Sequence, residues 1–165
     1  MGTKFQGNTA VVTVDLSAFT HSQTAPTYMF SECAALQTLI FPAGLSGKID
    51  TPLRNSFSIR KVVIPHGVTI VSDIIPSQAA QVLVIIGDNE HGSSLATINT
   101  TSTFRGTSRI VLYAYTPPVI KSSNVGVPSS FIGFYVPDDA VETYKTAEKW
   151  TQYAAKIFPV SEFVE

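Results

Sequence analysis

A short run of β-branched and aromatic residues recurs along this chain, and the recurrence restricts its folding more than any other feature. The runs are Leu36–Pro42, Ile59–Pro65, Ala80–Ile86, Ser108–Ala114 and Phe131–Pro137. Their fourth residues, Leu39, Val62, Leu83, Val111 and Phe134, are separated by 23, 21, 28 and 23 positions. A sixth run, Val11–Leu16, lies upstream at a comparable interval. Four to six residues rich in Val, Ile, Phe and Tyr favour a strand, because branched and aromatic side chains pack well on a pleated surface. Repeated strands at a near-constant period imply units that cannot bury their apolar faces singly and do so by stacking.

Punctuation between the runs agrees with this reading. Three of the five runs end in proline, which cannot donate to a strand ladder and so stops it. Turn formers follow: Ala43–Gly47, His66-Gly67, Gly87–Gly92 and Pro117-Pro118. Phe30, Leu45, Ile49, Val68 and Ile70 would anchor the return legs. A strand and a return in roughly 20–29 residues is the unit length of a leucine-rich-repeat array. The expected fold is mainly β with short helices: an α/β solenoid, a leucine-rich-repeat-like coil of about five short parallel strands capped by short C-terminal helices. Residues 1–26 would form an N-terminal strand or cap, 27–137 the solenoid and 138–165 the helical cap, within one domain. An ordinary β-sandwich with irregularly spaced strands is the alternative.

Two stretches carry a family resemblance. Phe30-Ser-Glu-Cys33-Ala-Ala-Leu36-Gln-Thr-Leu39-Ile-Phe-Pro42 resembles the repeat of BspA-type leucine-rich-repeat proteins, and Ile59–Val71 matches its second half. Tyr135–Val160, with Tyr144, Trp150, Tyr153 and Ile157, resembles the C-terminal cap of those arrays. The resemblance spans roughly residues 27–163. It weakens in the third and fourth units, which lack the Phe-x-x-Cys pair and the proline stop. It implies a non-catalytic module of bacterial cell-surface proteins engaged in adhesion, or of phage structural proteins.

The closing segment also reads without the family. Asp139 followed by Glu142 is a capping-box-like helix start. Val141, Tyr144 and Ala147 fall on one helical face, and Trp150, Tyr153, Ala154 and Ile157 make a second stripe. Asp139, Tyr144, Trp150 and Tyr153 are therefore expected to build the cap, covering a core that would otherwise end bare.

Composition excludes several functions. The net charge is −1, and eleven scattered Lys and Arg make no footprint for nucleic acid. Only 14% of residues are charged, against roughly a quarter in an average soluble domain. Ser and Thr fill the gap, with 17 and 18 copies, which suits a virion or an extracellular surface. The longest aliphatic run, Val82–Ile86, falls far short of the ~20 residues of a membrane helix. Residues 1–8 have no apolar core and do not read as a signal peptide.

No phosphate loop, dinucleotide fingerprint, His-Glu-x-x-His or Gly-x-Ser-x-Gly is present. His21, His66 and His91 stand far apart in the sequence and read as surface residues, so no metal ligands and no cofactor are expected. Gly87–Gly92 could offer oxygens to calcium, though its spacing is not that of an EF-hand and a solvated turn explains it. Lone Cys33 reads as a small buried hydrophobe rather than a nucleophile. No catalytic residues are assigned. A hydrolase would require two acidic side chains roughly 5–10 Å apart in one pocket.

What remains is surface. Arg60, Lys61, Arg109, Tyr113 and Tyr135 alternate with the core residues of the runs and are the candidate partner contacts, since Tyr and Arg dominate binding hot spots. The expected partners are other protein subunits or host-surface proteins and glycans, with a homo-oligomer or larger assembly open, and with no nucleic acid and no membrane insertion. A carbohydrate-binding module using Tyr113, Tyr115 and Tyr135 is the alternative function.

Overall fold

The computed structural model describes residues 5–20, 25 and 27–165. Its strands are β1 (Thr13–Asp15), β2 (Thr38–Ile40), β3 (Gly47–Asp50), β4 (Lys61–Ile64), β5 (Val68–Ser72) and β6 (Val82–Ile86). They continue as β7 (Thr97–Ile98), β8 (Thr107–Leu112), β9 (Val119–Ile120), β10 (Gly133–Val136) and β11 (Ile157–Pro159). One α-helix, α1 (Val141–Thr146), and three short 3₁₀ segments complete the C-terminal region.

Two parallel sheets result, one of seven strands in the order β1-β2-β4-β6-β8-β10-β11 and one of four in the order β3-β5-β7-β9. Between β2 and β10 successive strands alternate between the two sheets. The pairing of the seven-stranded sheet aligns Val14, Leu39, Val62, Val84, Ile110, Phe134 and Ile157 in one row, and all seven are buried. The second sheet contributes Ile49, Val71, Ile98 and Ile120 in the same way. Both rows belong to one hydrophobic core. At roughly 25 cal/mol per Å² of apolar surface, burying such side chains is the main force holding short strands that would be unstable singly.

This arrangement overturns the expected fold. The chain is an α/β fold with two parallel sheets and few helices, not a mainly β leucine-rich-repeat-like coil of about five strands with a helical cap. The physical reason lies in the return legs. Ile49, Val68 and Ile70, expected only as anchors of the return legs, sit in stretches β-branched enough to pair with their counterparts one unit away. The aligned row also differs from the sequence reading: Val84 and Ile110, rather than Leu83 and Val111, match Val62 and Phe134. A register irregularity at Val82/Leu83, opposite Thr107 and Arg109, passes over Ser108 in the alignment with β8.

The C-terminal segment differs from expectation as well. No side chain caps α1, so the Asp139–Glu142 capping box does not form; Glu142 instead pairs with Lys145 at 2.9 Å on the surface. After one six-residue helix and a 3₁₀ segment the chain returns as β11, the last strand of the large sheet. The anchoring is polar as much as apolar. Buried Tyr144 donates its hydroxyl to Ala114 O at 2.8 Å, and Trp150 donates Nε1–H to Pro118 O at 2.8 Å. The amide of Val125 donates to Tyr153 Oη at 3.0 Å. Phe134 packs edge-on against Trp150 and Tyr153, with ring centroids 5.0 and 5.3 Å away. Burial pushes the Tyr144 phenol well above its ordinary value, so it stays a neutral donor.

Cys33 is fully buried, its amide donating to Ser56 Oγ at 3.0 Å and its thiol to Phe5 O at 2.8 Å. Burial raises the thiol's pKa, so Cys33 packs as an inert hydrophobe.

Candidate functional site

The five contact residues read from the sequence do not share one free surface. Lys61, Arg109 and Tyr135 lie in the rows of the seven-stranded sheet that alternate with the core row, and so face away from it. That face is already engaged by residues 163–165 of the chain itself. Lys61 Nζ meets Glu165 Oε1 at 2.5 Å, and Arg109 Nη1 donates to Val164 O at 2.7 Å. The Arg109 guanidinium sits 5.6 Å from the Phe163 ring centre, and the Tyr135 ring lies 5.1 Å from it. Leu83 and Val111 occupy the same outward rows and are 5% and 1% exposed, although they lie outside the main core. Arg60 precedes β4, is exposed, and turns its guanidinium back to Ile59 O at 2.9 Å. Tyr113 lies beyond β8, on a different part of the molecule.

That part is the rim formed by the segments leaving the carboxyl ends of β4, β6, β8 and β10. A groove with a volume of about 510 Å³ opens there. Tyr113 and Tyr115 line it from beyond β8, Asp88, Asn89 and Gly92 from beyond β6, and Asp138 and Asp139 from beyond β10. A second cavity of about 640 Å³ adjoins it through Asn89, Gly92 and Tyr115, and extends to Pro117 and Val119. Both volumes fall within the range of small-molecule sites. Tyr115 is 66% exposed, a large ring left bare at the mouth.

The loop Gly87–Ser94 shapes the rim. Asp88 and Gly92 exchange backbone hydrogen bonds of 3.0 and 2.9 Å, closing a tight turn. Gly87 has a φ of +83°, and a Cβ there would lie 2.1 Å from Gly92 O, so no other residue fits without moving the turn. The Asp88 carboxylate accepts from the amides of Glu90 and His91, at 3.0 and 2.7 Å. The amide of Ser94 donates to His66 O at 2.8 Å and ties this loop to the one leaving β4.

The tie brings two histidines onto one carboxylate. His91 Nδ1 is 2.9 Å from Asp88 Oδ1, and His66 Nδ1 is 3.7 Å from Asp88 Oδ2. The two imidazoles stack with centroids 4.7 Å apart. The sequence reading treated these histidines as separate surface residues, and the third, His21, lies outside the described residues. A signal was present nonetheless. Ile64 pairs with Ile86 at the ends of neighbouring parallel strands, and His66 and Asp88 each follow by two positions, which places them side by side.

The groove's charge is negative. Partial burial would raise the Asp88 pKa, but hydrogen bonds from the His91 and Glu90 amides and the His91 ring hold it below the ordinary carboxylate value. Asp138 also lies below that value, because Ser161 hydrogen-bonds its carboxylate; the Ser161 amide donates at 3.1 Å. A glycosidase needs one carboxyl whose pKa is raised so that it can deliver a proton. Asp88 and Asp138 are shifted the other way. Asp139, expected as a helix cap, instead lines the groove.

No model of a known protein family matches the chain, and no curated protein matches it either.

Proposed function

We propose that the chain is a non-catalytic recognition module of a virion or a bacterial cell-surface assembly, and that its groove at the strand ends takes a glycan. The observation that carries this reading is the placing of Tyr113 and Tyr115 around one cavity with Asp88, Asn89, Asp138 and Asp139. The C–H face of a sugar ring packs on a tyrosine ring as another apolar surface would. Its hydroxyls donate to carboxylate and amide oxygens, of which this groove has four side chains' worth. Hydrogen bonds hold the Asp88 and Asp138 carboxyls below their ordinary values, so both are ready acceptors for sugar hydroxyls. Ligands of parallel α/β sheets commonly sit outside the carboxyl ends of the strands, and the analogy points to the same rim.

Glycan-array screening of the purified chain tests this reading, with the Tyr113→Ala/Tyr115→Ala variant alongside. The expected result is a defined set of bound glycans and a loss of about tenfold or more in the variant, at ~1 kcal/mol per aromatic contact. Absence of any bound glycan, or equal binding by the variant, would overturn it. A second reading, docking of a protein subunit on the same rim, is favoured by Val119, 56% exposed in the adjoining cavity beside Pro117. Assembly in solution that Val119→Asp abolishes would support that second reading.

A further inference from the structure

His66 and His91, which the glycan reading does not use, flank Asp88, which that reading shares. We propose that these three side chains bind one divalent cation of the zinc class at the edge of the groove, with an open coordination position turned to solvent.

The donor set selects the ion. Two imidazole nitrogens and one carboxylate oxygen suit zinc and its neighbours nickel and copper, whereas calcium and magnesium prefer all-oxygen shells. Asp88 is the only carboxylate of the trio, so calcium would find one hard ligand where it takes six or more.

The spacing is close to what a bound ion requires. Zinc–nitrogen and zinc–oxygen bonds of about 2.0–2.1 Å in a tetrahedral shell put donor atoms roughly 3.3 Å apart. Here one donor atom from each residue can be chosen so that all three lie within 4.8 Å of one another, and the two contacts to Asp88 are 2.9 and 3.7 Å. All three side chains are about half exposed, so small rotations are free to draw them inward. The backbone beneath is held by the Asp88–Gly92 exchange and the Ser94–His66 bond, which lowers the ordering cost of gathering ligands from two loops. On binding, an imidazole nitrogen that carries a proton toward Asp88 releases it to solvent and coordinates the ion instead. Three protein ligands leave the fourth tetrahedral position for water or for an oxygen of a bound molecule. Asp88 belongs both to this trio and to the groove wall, so the ion would sit where a groove ligand could reach it.

The test is isothermal titration of zinc chloride into chain previously dialysed against EDTA. One ion per chain is expected, with an affinity that falls about tenfold or more in His66→Ala and in His91→Ala, since losing a direct ligand costs at least as much as losing a supporting residue. Excess calcium should not compete. Asp88→Asn keeps the side-chain oxygen that accepts from the Glu90 and His91 amides while removing the charge, so it separates loss of the ion from loss of the loop. Circular dichroism of each metal-free variant checks that the fold is intact. Absence of zinc uptake, or uptake that survives both histidine substitutions, would overturn the proposal. Repeating the glycan array on EDTA-treated chain keeps the two readings apart: glycan binding without zinc uptake ends only the metal site, and the reverse ends only the glycan site.

Discussion

The outer face of the seven-stranded sheet and the rim at its strand ends both carry tyrosines beside charged side chains, basic on the face and acidic on the rim, and have opposite fates. On the face, Lys61, Arg109 and Tyr135 are engaged by Phe163, Val164 and Glu165. On the rim, Tyr113, Tyr115 and the carboxylates of Asp138 and Asp139 line an open groove. A tyrosine or arginine that alternates with the core is therefore available to a partner only where the chain does not return to cover it. Propensity for contact and availability for contact are separate properties, and only the second depends on where distant segments run.

The severest way to break this comparison is to release the C-terminal segment. Trp150→Ala removes a ring that is 1% exposed and packs on both Phe134 and Tyr144, so about 3–5 kcal/mol of stability is expected to vanish. Denaturant unfolding with an unchanged m-value would measure it. If the loss were under ~1 kcal/mol, the segment from α1 to β11 would not be an integral part of the fold.

Gly87→Ala attacks the rim alone. Its positive φ and the clash with Gly92 O should cost roughly 1–3 kcal/mol in thermal denaturation and distort the Asp88 turn. Tyr144→Phe tests the polar anchor, since it orphans Ala114 O; about 1–2 kcal/mol is expected from the same measurement. Lys61→Ala breaks an exposed ion pair with Glu165 and should cost less than ~1 kcal/mol, with a small salt dependence. It should leave groove binding unchanged, which sharpens the contrast between face and rim.

The smallest effect concerns pH. The Asp138 carboxyl is shifted below its unfolded, ordinary carboxylate value by its hydrogen bonds with Ser161. Its contribution is therefore fully present above that value and is lost as pH falls through the lower, folded value. Urea unfolding between pH 6 and pH 2 should show Asp138→Asn flattening the lower end of the stability curve. An unchanged curve would mean that Asp138 gains nothing from Ser161.

The positions of the main strands were legible in the sequence, whereas the fold they build was not. The strand runs stand where β-branched residues cluster, and Leu39, Val62 and Phe134 fall in the aligned core row. The second sheet was not legible, because β3, β7 and β9 are two to four residues long and a lone Ile49 or Ile98 looks the same in a strand as in a loop. In β6 and β8 the fourth residues of the runs, Leu83 and Val111, stand one position before and one position after the row residues Val84 and Ile110, and a shift of one residue exchanges the two faces of a strand. Asp139 suggests helix capping because its spacing to Glu142 is local, whereas the Ser161 contact of Asp138 and the groove that both acids line are set by the return of the chain through β11. His66 and His91 were separated for the same reason. Sequence distance conceals what parallel pairing joins.

The central claim is that recognition belongs to the rim and not to the sheet face. Titrating an array-selected glycan into isotope-labelled chain and following the backbone amide resonances tests it most directly. Shifts concentrated at Asp88–Gly92, Tyr113, Tyr115, Asp138 and Asp139, with Lys61, Arg109 and Tyr135 unmoved, are the predicted result. Shifts centred on Lys61, Arg109 and Tyr135 with a silent rim would contradict it.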